Sequence, residues 1–197
     1  MSGILSDRDL DLIFREARSH NAWTDKPVSD TMIRAIYDLV KMGPTSANCS
    51  PARFVFLKSD AAKERLKPHV SEGNVKKVMT APVCAIIGYD TEFYEKIPQL
   101  FPHNPGAKDW FTGNAELAEA TAFRNGTLQG AYLIIAARAL GIDCGPMSGF
   151  DNDGVDKEFF PGGKIKSNFI CSLGQGDPSA VHPRSPRLTF DEACELI

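Results

Sequence analysis

"GPTSANCSPARF", residues 43–54, joins a helical pattern to a run of strand-forming residues. Before it, "SDTMIRAIYDLVKM" repeats apolar side chains at helical spacing, and Ser29 and Gly43 are suited to begin and end that helix. After it, "RFVFLK" is typical of a β-strand. The junction is rich in small hydrogen-bonding residues and lacks the acids and bases of side-chain catalysis. It is either an ordinary helix-capping loop or a loop that brings backbone groups close to a ligand.

Helices and strands continue to alternate on both sides of this junction. The apolar run "PVCAIIGY", residues 82–89, predicts a strand covered on both faces, and "SNFICSLGQGD", residues 167–177, predicts another. Residues 115–141 predict one long helix that Gly141 ends. Its second half is apolar nearly all round, so we expect it to be buried on every side, partly at a subunit interface. No linker or repeat is visible, and we predict a single domain over residues 1–197.

The charge and hydropathy of the chain restrict its partners. With a net charge of −3 and a pI near 5.8, it offers no basic surface for nucleic acid or for an anionic membrane. Its longest apolar stretch, Ala131–Leu140, is too short to span a bilayer and contains Arg138, and its start does not resemble a signal peptide. We therefore expect a cytoplasmic protein without nucleic-acid or membrane partners.

The five cysteines are odd in number, widely spaced and without a C-x-x-C pair. This pattern argues against a disulfide framework and against a zinc site. We expect each cysteine to be a small buried apolar residue, with a reactive thiol at Cys49 as the alternative. The four histidines also lack the spacing of metal ligands, so no metal site is predicted.

Familiar nucleotide-binding and hydrolytic motifs are incomplete. "GQGDPS", residues 174–179, departs from the dinucleotide fingerprint because Pro178 stands where a helix should begin. "PGGKI", residues 161–165, lacks the remaining positions of a P-loop, and no nucleophile elbow occurs. An enzyme without such side-chain machinery can take its chemistry from a bound cofactor. One such cofactor, a flavin, requires a grip on its phosphate, polar groups along the ring edges and one open ring face.

Three segments meet those requirements. "EARSHNAW" places Arg18, Ser19 and Asn21 at the end of the first helix, where a guanidinium can hold a phosphate through two hydrogen bonds. "GPTSANCSP" supplies short amide, hydroxyl and backbone groups for the ring edges. "GPMSGFD", residues 145–151, predicts a second compact loop in which Gly149 permits close approach to a ring. Each segment also has a plainer interpretation, respectively a solvated helix end, a capping loop and a tight turn.

Taken together and in this order, "ARSHNAW", "TDKPVSDTM", "GPTSANCSPARF", "AFRNGTLQGAYLIIAARALGIDCGPMSGFD" and "SNFICSLGQGD" resemble the nitroreductase family of FMN enzymes over nearly the whole chain. More narrowly, "GPTSANCSPARF" and "GPMSGFD" resemble the malonic semialdehyde reductase (3-hydroxypropanoate dehydrogenase) branch, which acts in pyrimidine degradation. The resemblance implies an α+β fold with a central mixed sheet flanked by helices. It also implies an intertwined homodimer that holds two FMN molecules at the subunit interface.

The same resemblance implies an FMN-dependent oxidoreductase with NADPH or NADH as co-substrate. Hydride would pass to FMN and then, after the nicotinamide leaves, to a small acceptor, which in this branch is malonic semialdehyde. A broad-specificity nitroaromatic or quinone reductase and a non-catalytic flavin-binding protein are the alternatives. Many relatives read "NxQPW" where this chain reads "NCSPA", so Ser50 and Ala52 should alter the acceptor pocket.

Three groups of cofactor-binding residues follow from the resemblance. The FMN phosphate is expected at Arg18, Ser19, Asn21 and a C-terminal arginine, either Arg184 or Arg187. The partner subunit is expected to close over the ring with Pro44, Thr45, Ser46 and Asn48. The ring edge is expected at Asn74, Lys77, Pro146, Met147, Ser148 and Gly149. No side chain is expected to carry hydride. Alternative cations for a substrate carboxylate are Arg53, Arg124 and Lys108.

Overall fold

Helices and strands alternate as the sequence predicts in a computed structural model that describes residues 3–197. The strands are β1 (Ala52–Leu57), β2 (Val83–Asp90), β3 (Asp143–Met147) and β4 (Ile165–Gly174). The helices are α1 (Asp7–Leu10), α2 (Asp30–Val40), α3 (Asp60–Leu66), α4 (Glu72–Thr80), α5 (Ile97–Leu100), α6 (Ala115–Ala139), α7 (Asn152–Phe159) and α8 (Phe190–Ala193). A π-helical turn, Asp11–Arg15, directly continues α1. This composition confirms the predicted α+β class.

The four strands form one sheet in the order β1–β2–β4–β3, which leaves β1 and β3 at its edges. All three strand pairings are antiparallel, so the expected mixed sheet is corrected to an antiparallel one. Outside these strands, the described residues make a parallel pairing only at a single bridge between Ser19 and Cys144, where the segment after α1 runs beside β3. A one-residue contact does not extend the sheet by a parallel strand.

The central strand β2 is covered on both faces, as its unbroken apolar run predicts. Its successive side chains point alternately into two core clusters. Val83, Ala85 and Ile87 pack with residues of α2 and α6. Cys84 and Ile86 pack with residues of α3, α4 and α7. Because helices cover both faces of the sheet, a binding site must lie at its ends or edges.

Helix α6 has 25 residues, yet neither it nor another helix of residues 3–197 is long and apolar enough to cross a lipid bilayer. It lies against the sheet on one side, where a Cβ atom at Gly130 would be only 2.5 Å from the Phe169 ring. On the other side Leu128 is 42% and Ile135 is 36% exposed. In a single chain one apolar stripe of α6 therefore faces outward, and burial of this stripe at a subunit interface stays a prediction.

The C-terminal segment, residues 182–197, is exposed along its whole length. It carries large apolar side chains into solvent, among them Leu188 and Phe190. Contiguous apolar surface of this kind is commonly covered by a protein partner. The stripe on α6 and this segment are thus two of the places where a single chain exposes large apolar side chains.

Candidate functional site

A cleft of about 300 Å³ lies where the segment after α1, the end of α6 and the C-terminal segment meet. Four arginines line it: Arg18, Arg138, Arg184 and Arg187. Within residues 3–197, none of the four lies within 4.0 Å of a carboxylate oxygen. Guanidinium groups remain charged at every ordinary pH. The cleft, which we call the arginine cleft, is therefore built to attract an anion.

The arginine cleft is closed by two reciprocal hydrogen bonds between distant segments. Arg18 donates from Nη2 to the carbonyl oxygen of His182. Arg184 donates from Nη2 to the carbonyl oxygen of Ala17 at 3.1 Å. Arg187, in contrast, donates only to carbonyl oxygens of its own turn. Each of the first two arginines thus ties the C-terminal segment to the segment that follows α1 and keeps further N–H donors for a ligand.

Ser19 and Asn21 line the same cleft. The structure therefore brings together all the residues that the sequence analysis assigns to the FMN phosphate, which come from opposite ends of the chain. Arg138 was missed as a member of this group, because an arginine in an otherwise apolar helix attracted notice only as an obstacle to a membrane span. A cluster of arginines without carboxylate partners fits a phosphate group in charge and in the type of its donors.

Residues 19 and 20 lie beside strand β3, and residues 22–24 pair with residues 175–177, which follow β4. His20 donates its backbone N–H to the carbonyl oxygen of Cys144 at 3.0 Å. Close contact depends on Gly145, since a Cβ atom there would lie 2.4 Å from the carbonyl oxygen of His20. Through this contact, the arginine cleft is joined to the end of β3.

A second polar group lies beyond the end of β3. Asn74 donates from Nδ2 to the carbonyl oxygen of Gly149 at 3.2 Å and accepts at Oδ1 from the Lys77 ammonium at 3.0 Å. Trp23 donates from Nε1 to the carbonyl oxygen of Lys77 at 3.2 Å. A Cβ atom at Gly149 would approach Asn74 Nδ2 to 2.7 Å, so an alanine there would displace the Asn74 amide. Asn74, Lys77 and Gly149 thus meet, as the sequence analysis expects for the ring edge.

The expected "GPMSGFD" loop is partly a strand. Pro146 and Met147 belong to β3 and pair with Cys171 and Ile170 of β4, and only Ser148 and the residues after it leave the sheet. A proline is tolerated because β3 is an edge strand. Met147 is buried in the core, and this burial explains why the chain stays extended up to it.

The small-residue loop before β1 lies at the opposite edge of the sheet. Three strand spacings, about 14 Å, separate β1 from β3. Tyr132 donates to the carbonyl oxygen of Pro44 at 3.0 Å, and Asn48 donates from Nδ2 to the carbonyl oxygen of Leu100 at 2.7 Å. One chain therefore does not bring Pro44, Thr45, Ser46 and Asn48 together with the other predicted ligand-binding residues.

This loop has an unusual backbone. Ala47, Asn48 and Ser50 have φ angles of 48°, 48° and 39°, in the left-handed region that disfavours side chains. Two amides on one face of α6 hold its ends. Asn125 Oδ1 accepts from the Ser46 N–H at 2.8 Å, and Gln129 Oε1 accepts from the Ala52 N–H at 2.8 Å. Strained backbone of this kind concentrates at functional segments.

The two amides on α6 were not predicted from the sequence. Both Asn125 and Gln129 are buried, and they are four residues apart in a helix whose other buried side chains are mostly small or apolar. Two buried amides at i and i+4 need partners outside the helix, since buried polar groups are hydrogen-bonded. That spacing was the available signal, although it does not by itself identify the loop before β1 as the partner.

One of the five cysteines, Cys49, lies in this loop. Cys49, Cys84, Cys144 and Cys171 are buried, as expected, but Cys194 is exposed in the C-terminal segment and corrects the expectation for that residue. Burial raises the pKa of the Cys49 thiol to about 11. At pH 8 its reactive thiolate is therefore only about one part in a thousand. The buried, apolar interpretation of Cys49 is supported over the reactive one.

We expect one thiol per chain, Cys194, to react promptly with Ellman's reagent at pH 8 in the native protein. All five should react once the chain is unfolded in denaturant. Cys194→Ser is the matched variant and should abolish the prompt reaction. A prompt reaction that persists in Cys194→Ser would show that a buried thiol is accessible and contradict the assignment.

Two of the three candidate cations for a substrate carboxylate are already paired. Arg53 lies 2.7 Å from the Asp90 carboxylate, and Lys108 lies 2.7 Å from the Glu95 carboxylate. Arg124 is exposed on α6 and makes no such pair among residues 3–197. In the same range, no three His, Cys, Asp or Glu side chains are grouped as a metal site.

An α+β domain with an anion-binding cleft at one sheet edge and a strained polar loop at the other defines a ligand-binding protein of the cofactor-dependent type. The sequence model of the Nitroreductase family matches residues 14–172, and the chain belongs to this family. A relative from Cupriavidus pinatubonensis is 61% identical over 189 residues, covering 95% of this chain and 96% of its own. The HadB protein of Ralstonia pickettii is 63% identical over 186 residues, covering 93% and 95%. Both carry the provisional name NADH dehydrogenase/NAD(P)H nitroreductase.

Solved structures share the fold. A nitroreductase from Exiguobacterium sibiricum, determined in complex with FMN, superposes with a TM-score of 0.87 at 18% identity over all of both chains. A nitroreductase from Bacillus subtilis superposes with a TM-score of 0.85 at 19% identity, covering 98% of this chain and all of its own. At these identities the comparison establishes the architecture.

Proposed function

We propose that this protein is an FMN-dependent NAD(P)H oxidoreductase. The main support for the proposal is the arginine cleft. Its four guanidinium groups have no carboxylate partner among residues 3–197, so the cleft favours an anionic ligand. The Nε of Arg138 is buried and has no hydrogen-bond partner among residues 3–197, so this guanidinium keeps a donor that the chain does not use. A terminal phosphate such as that of FMN fits this donor set. The names of the relatives and the FMN complex of the Exiguobacterium sibiricum neighbour support the same assignment.

When bound, FMN supplies transfer of hydride from a nicotinamide to a small acceptor. The chain binds and orients it. Arg18 and Arg184 would hold the phosphate, and Asn74 and Lys77, beyond the end of β3, would lie along the ring edge. The amide of Asn74 is held at both its nitrogen and its oxygen, so it would keep a fixed orientation toward the ring. Lys77 would place a positive charge beside the ring.

The active form is proposed to be a homodimer. The exposed stripe on α6, with Leu128 and Ile135, is the kind of surface that a second copy covers. A second copy can also bring its Thr45, Ser46 and Asn48 over a ring held by the first, which one chain alone cannot do. The obligate interface of such a dimer is expected to be apolar.

For the acceptor, we propose malonic semialdehyde. Its aldehyde carbon takes up hydride and its oxygen takes up a proton, which gives 3-hydroxypropanoate. The "GPTSANCSPARF" and "GPMSGFD" motifs support this choice, and Arg124 offers an unpaired cation for the substrate carboxylate. The names of the relatives favour a nitro compound as a second candidate, and a quinone is a further alternative. Comparison of kcat/KM for a semialdehyde, a nitroaromatic and a quinone distinguishes them.

A visible spectrum tests the enzyme assignment directly. The purified protein, as isolated or after addition of FMN, should show flavin absorbance that bleaches on anaerobic addition of NADPH or NADH. Addition of an oxidised acceptor to the bleached protein should then restore the flavin absorbance. A preparation that binds no FMN contradicts the proposal. Bound FMN that neither nicotinamide bleaches would leave only a flavin-binding protein.

Arg18→Gln should weaken FMN binding by about 10- to 100-fold, because it removes a charge-assisted hydrogen bond worth about 1.5–3 kcal/mol. Riboflavin has no phosphate, so its weaker affinity should change little. Titration of flavin fluorescence gives both dissociation constants. Arg8→Gln, at an exposed position on α1, is the control and should leave both unchanged. Equal affinities of wild type and Arg18→Gln for FMN would remove Arg18 from the phosphate site.

A further inference from the structure

Arg138 occupies an unusual position in the arginine cleft. It lies in the last turn of α6 and donates from Nη1 to the carbonyl oxygen of Ile13 at 3.2 Å. Its Nε is buried and has no hydrogen-bond partner among the described residues. No carboxylate of residues 3–197 lies within 4.0 Å of its guanidinium. The fold therefore partly buries a permanent positive charge. It provides neither a carboxylate to balance that charge nor an acceptor for the Nε–H donor.

A purely structural role accounts for only part of this arrangement. The hydrogen bond to Ile13 ties α6 to the π-helical turn, and a cation in the last turn of a helix is favoured by the helix dipole. Neither contact satisfies the buried Nε. An uncompensated charge and an unpaired buried donor are both costly, and an interior arginine normally has a carboxylate for this reason. The missing partner is therefore expected to come from outside the chain.

We propose that Arg138 is an anion-binding residue of the arginine cleft and shares the phosphate with Arg18 and Arg184. The inference rests on the proposed function in taking the anion to be the FMN phosphate. Arg138 reaches the cleft from α6, whereas Arg18 and Arg184 belong to the two segments that clasp each other. The phosphate is thereby bound to the core of the domain as well as to its terminal segments.

The arrangement has a consequence for charge. A terminal phosphate carries close to two negative charges above its second pKa of about 6 and one below it. A site with Arg138 in addition to the other arginines has a surplus of positive charge, so it should prefer the doubly charged form. The affinity for FMN is therefore expected to rise as pH increases through about 6. The affinity for riboflavin, which has no phosphate, is expected to stay the same over this range. Arg138→Met should reduce this pH dependence.

The test compares phosphorylated and unphosphorylated ligands in matched variants. Arg138→Met should weaken FMN binding by about tenfold and leave riboflavin affinity within about twofold. Arg138→Lys keeps the charge and should recover most of the loss. Arg8→Met is the exposed control and should change neither affinity. Should Arg138→Met fail to fold, Arg138→Gln retains a polar side chain of similar length and serves for the same comparison.

A second measurement uses inorganic phosphate and needs no flavin. Phosphate should raise the melting temperature of the flavin-free wild-type protein, and the rise should be smaller in Arg138→Met. Equal losses of FMN and riboflavin affinity in Arg138→Met would assign the residue a purely structural role and overturn the inference. If wild type binds no FMN, the proposed function fails, and the phosphate measurement alone decides the inference. Equal stabilisation of wild type and Arg138→Met by phosphate would then reject the inference that Arg138 binds the anion.

Discussion

Gly145→Ala should destabilise the protein by about 3 kcal/mol and largely abolish FMN binding. The added Cβ atom would lie 2.4 Å from the carbonyl oxygen of His20 and 3.2 Å from the Trp23 ring. The first of these contacts involves backbone on both sides, so no side-chain rotation can relieve it. The segment from Arg18 to Trp23 must instead move away from β3. That movement breaks the His20–Cys144 hydrogen bond and separates the arginine cleft from Asn74 and Lys77.

Thermal unfolding and a flavin titration, both at one protein concentration, measure the two effects. A loss of 3 kcal/mol corresponds to a melting temperature lower by about 6–12 °C for a chain of this size. Gly73→Ala is the matched control, because nothing lies within 4 Å of a Cβ atom at that position in α4. It should stabilise the protein slightly through helix propensity. A Gly145→Ala protein that melts within 2 °C of wild type would show that the close contact is not required.

Gln129→Met is expected to cost about 2 kcal/mol, although it changes side-chain volume very little. It removes the acceptor of the Ala52 N–H and leaves that donor unpaired where both residues are buried. An unsatisfied buried N–H costs about 1–3 kcal/mol. The same hydrogen bond fixes the exit of the strained loop from Thr45 to Ser50. We therefore expect the loop to relax from its left-handed conformation as well.

Urea unfolding gives the loss of stability, and backbone amide exchange in residues 45–52 reports the loop. Gln99→Met makes the same chemical change at an exposed position on α5 and should alter stability by less than about 0.5 kcal/mol. The two glutamine variants thus separate the effect of the hydrogen bond from that of the methionine itself. If Gln129→Met had the same stability and the same amide exchange rates as wild type, α6 would not position the loop.

Most of the secondary structure was predictable because its signals are local. Ser29 caps α2 through its side chain, as expected from its position before the apolar repeat. The unbroken apolar run of β2 correctly predicted cover on both faces. In contrast, Pro146 and Met147 belong to a strand because of pairing with β4, about 25 residues later in the chain, and burial of Met147. No local pattern within "GPMSG" reports that pairing.

The residues of the candidate site divide in the same way. Arg18 was predicted from its local sequence and Arg184 through family resemblance, and the structure explains their proximity by the reciprocal hydrogen bonds to His182 and Ala17. Arg138 was overlooked because its role depends on what is missing around it, namely a carboxylate, and sequence alone shows no such absence. Gln129 was overlooked because the partner of a buried amide can be named only once the fold is known.

The arginine cleft draws on residue 18, residue 138 and residues 184–187, so almost the entire polypeptide must be synthesised before it exists. A chain still emerging from the ribosome has its first arginine exposed while the last two have yet to be added. Under the proposed function, retention of FMN by its phosphate therefore requires that residues 184–187 have been added to the chain. Translation products that end before residue 184 should stay colourless.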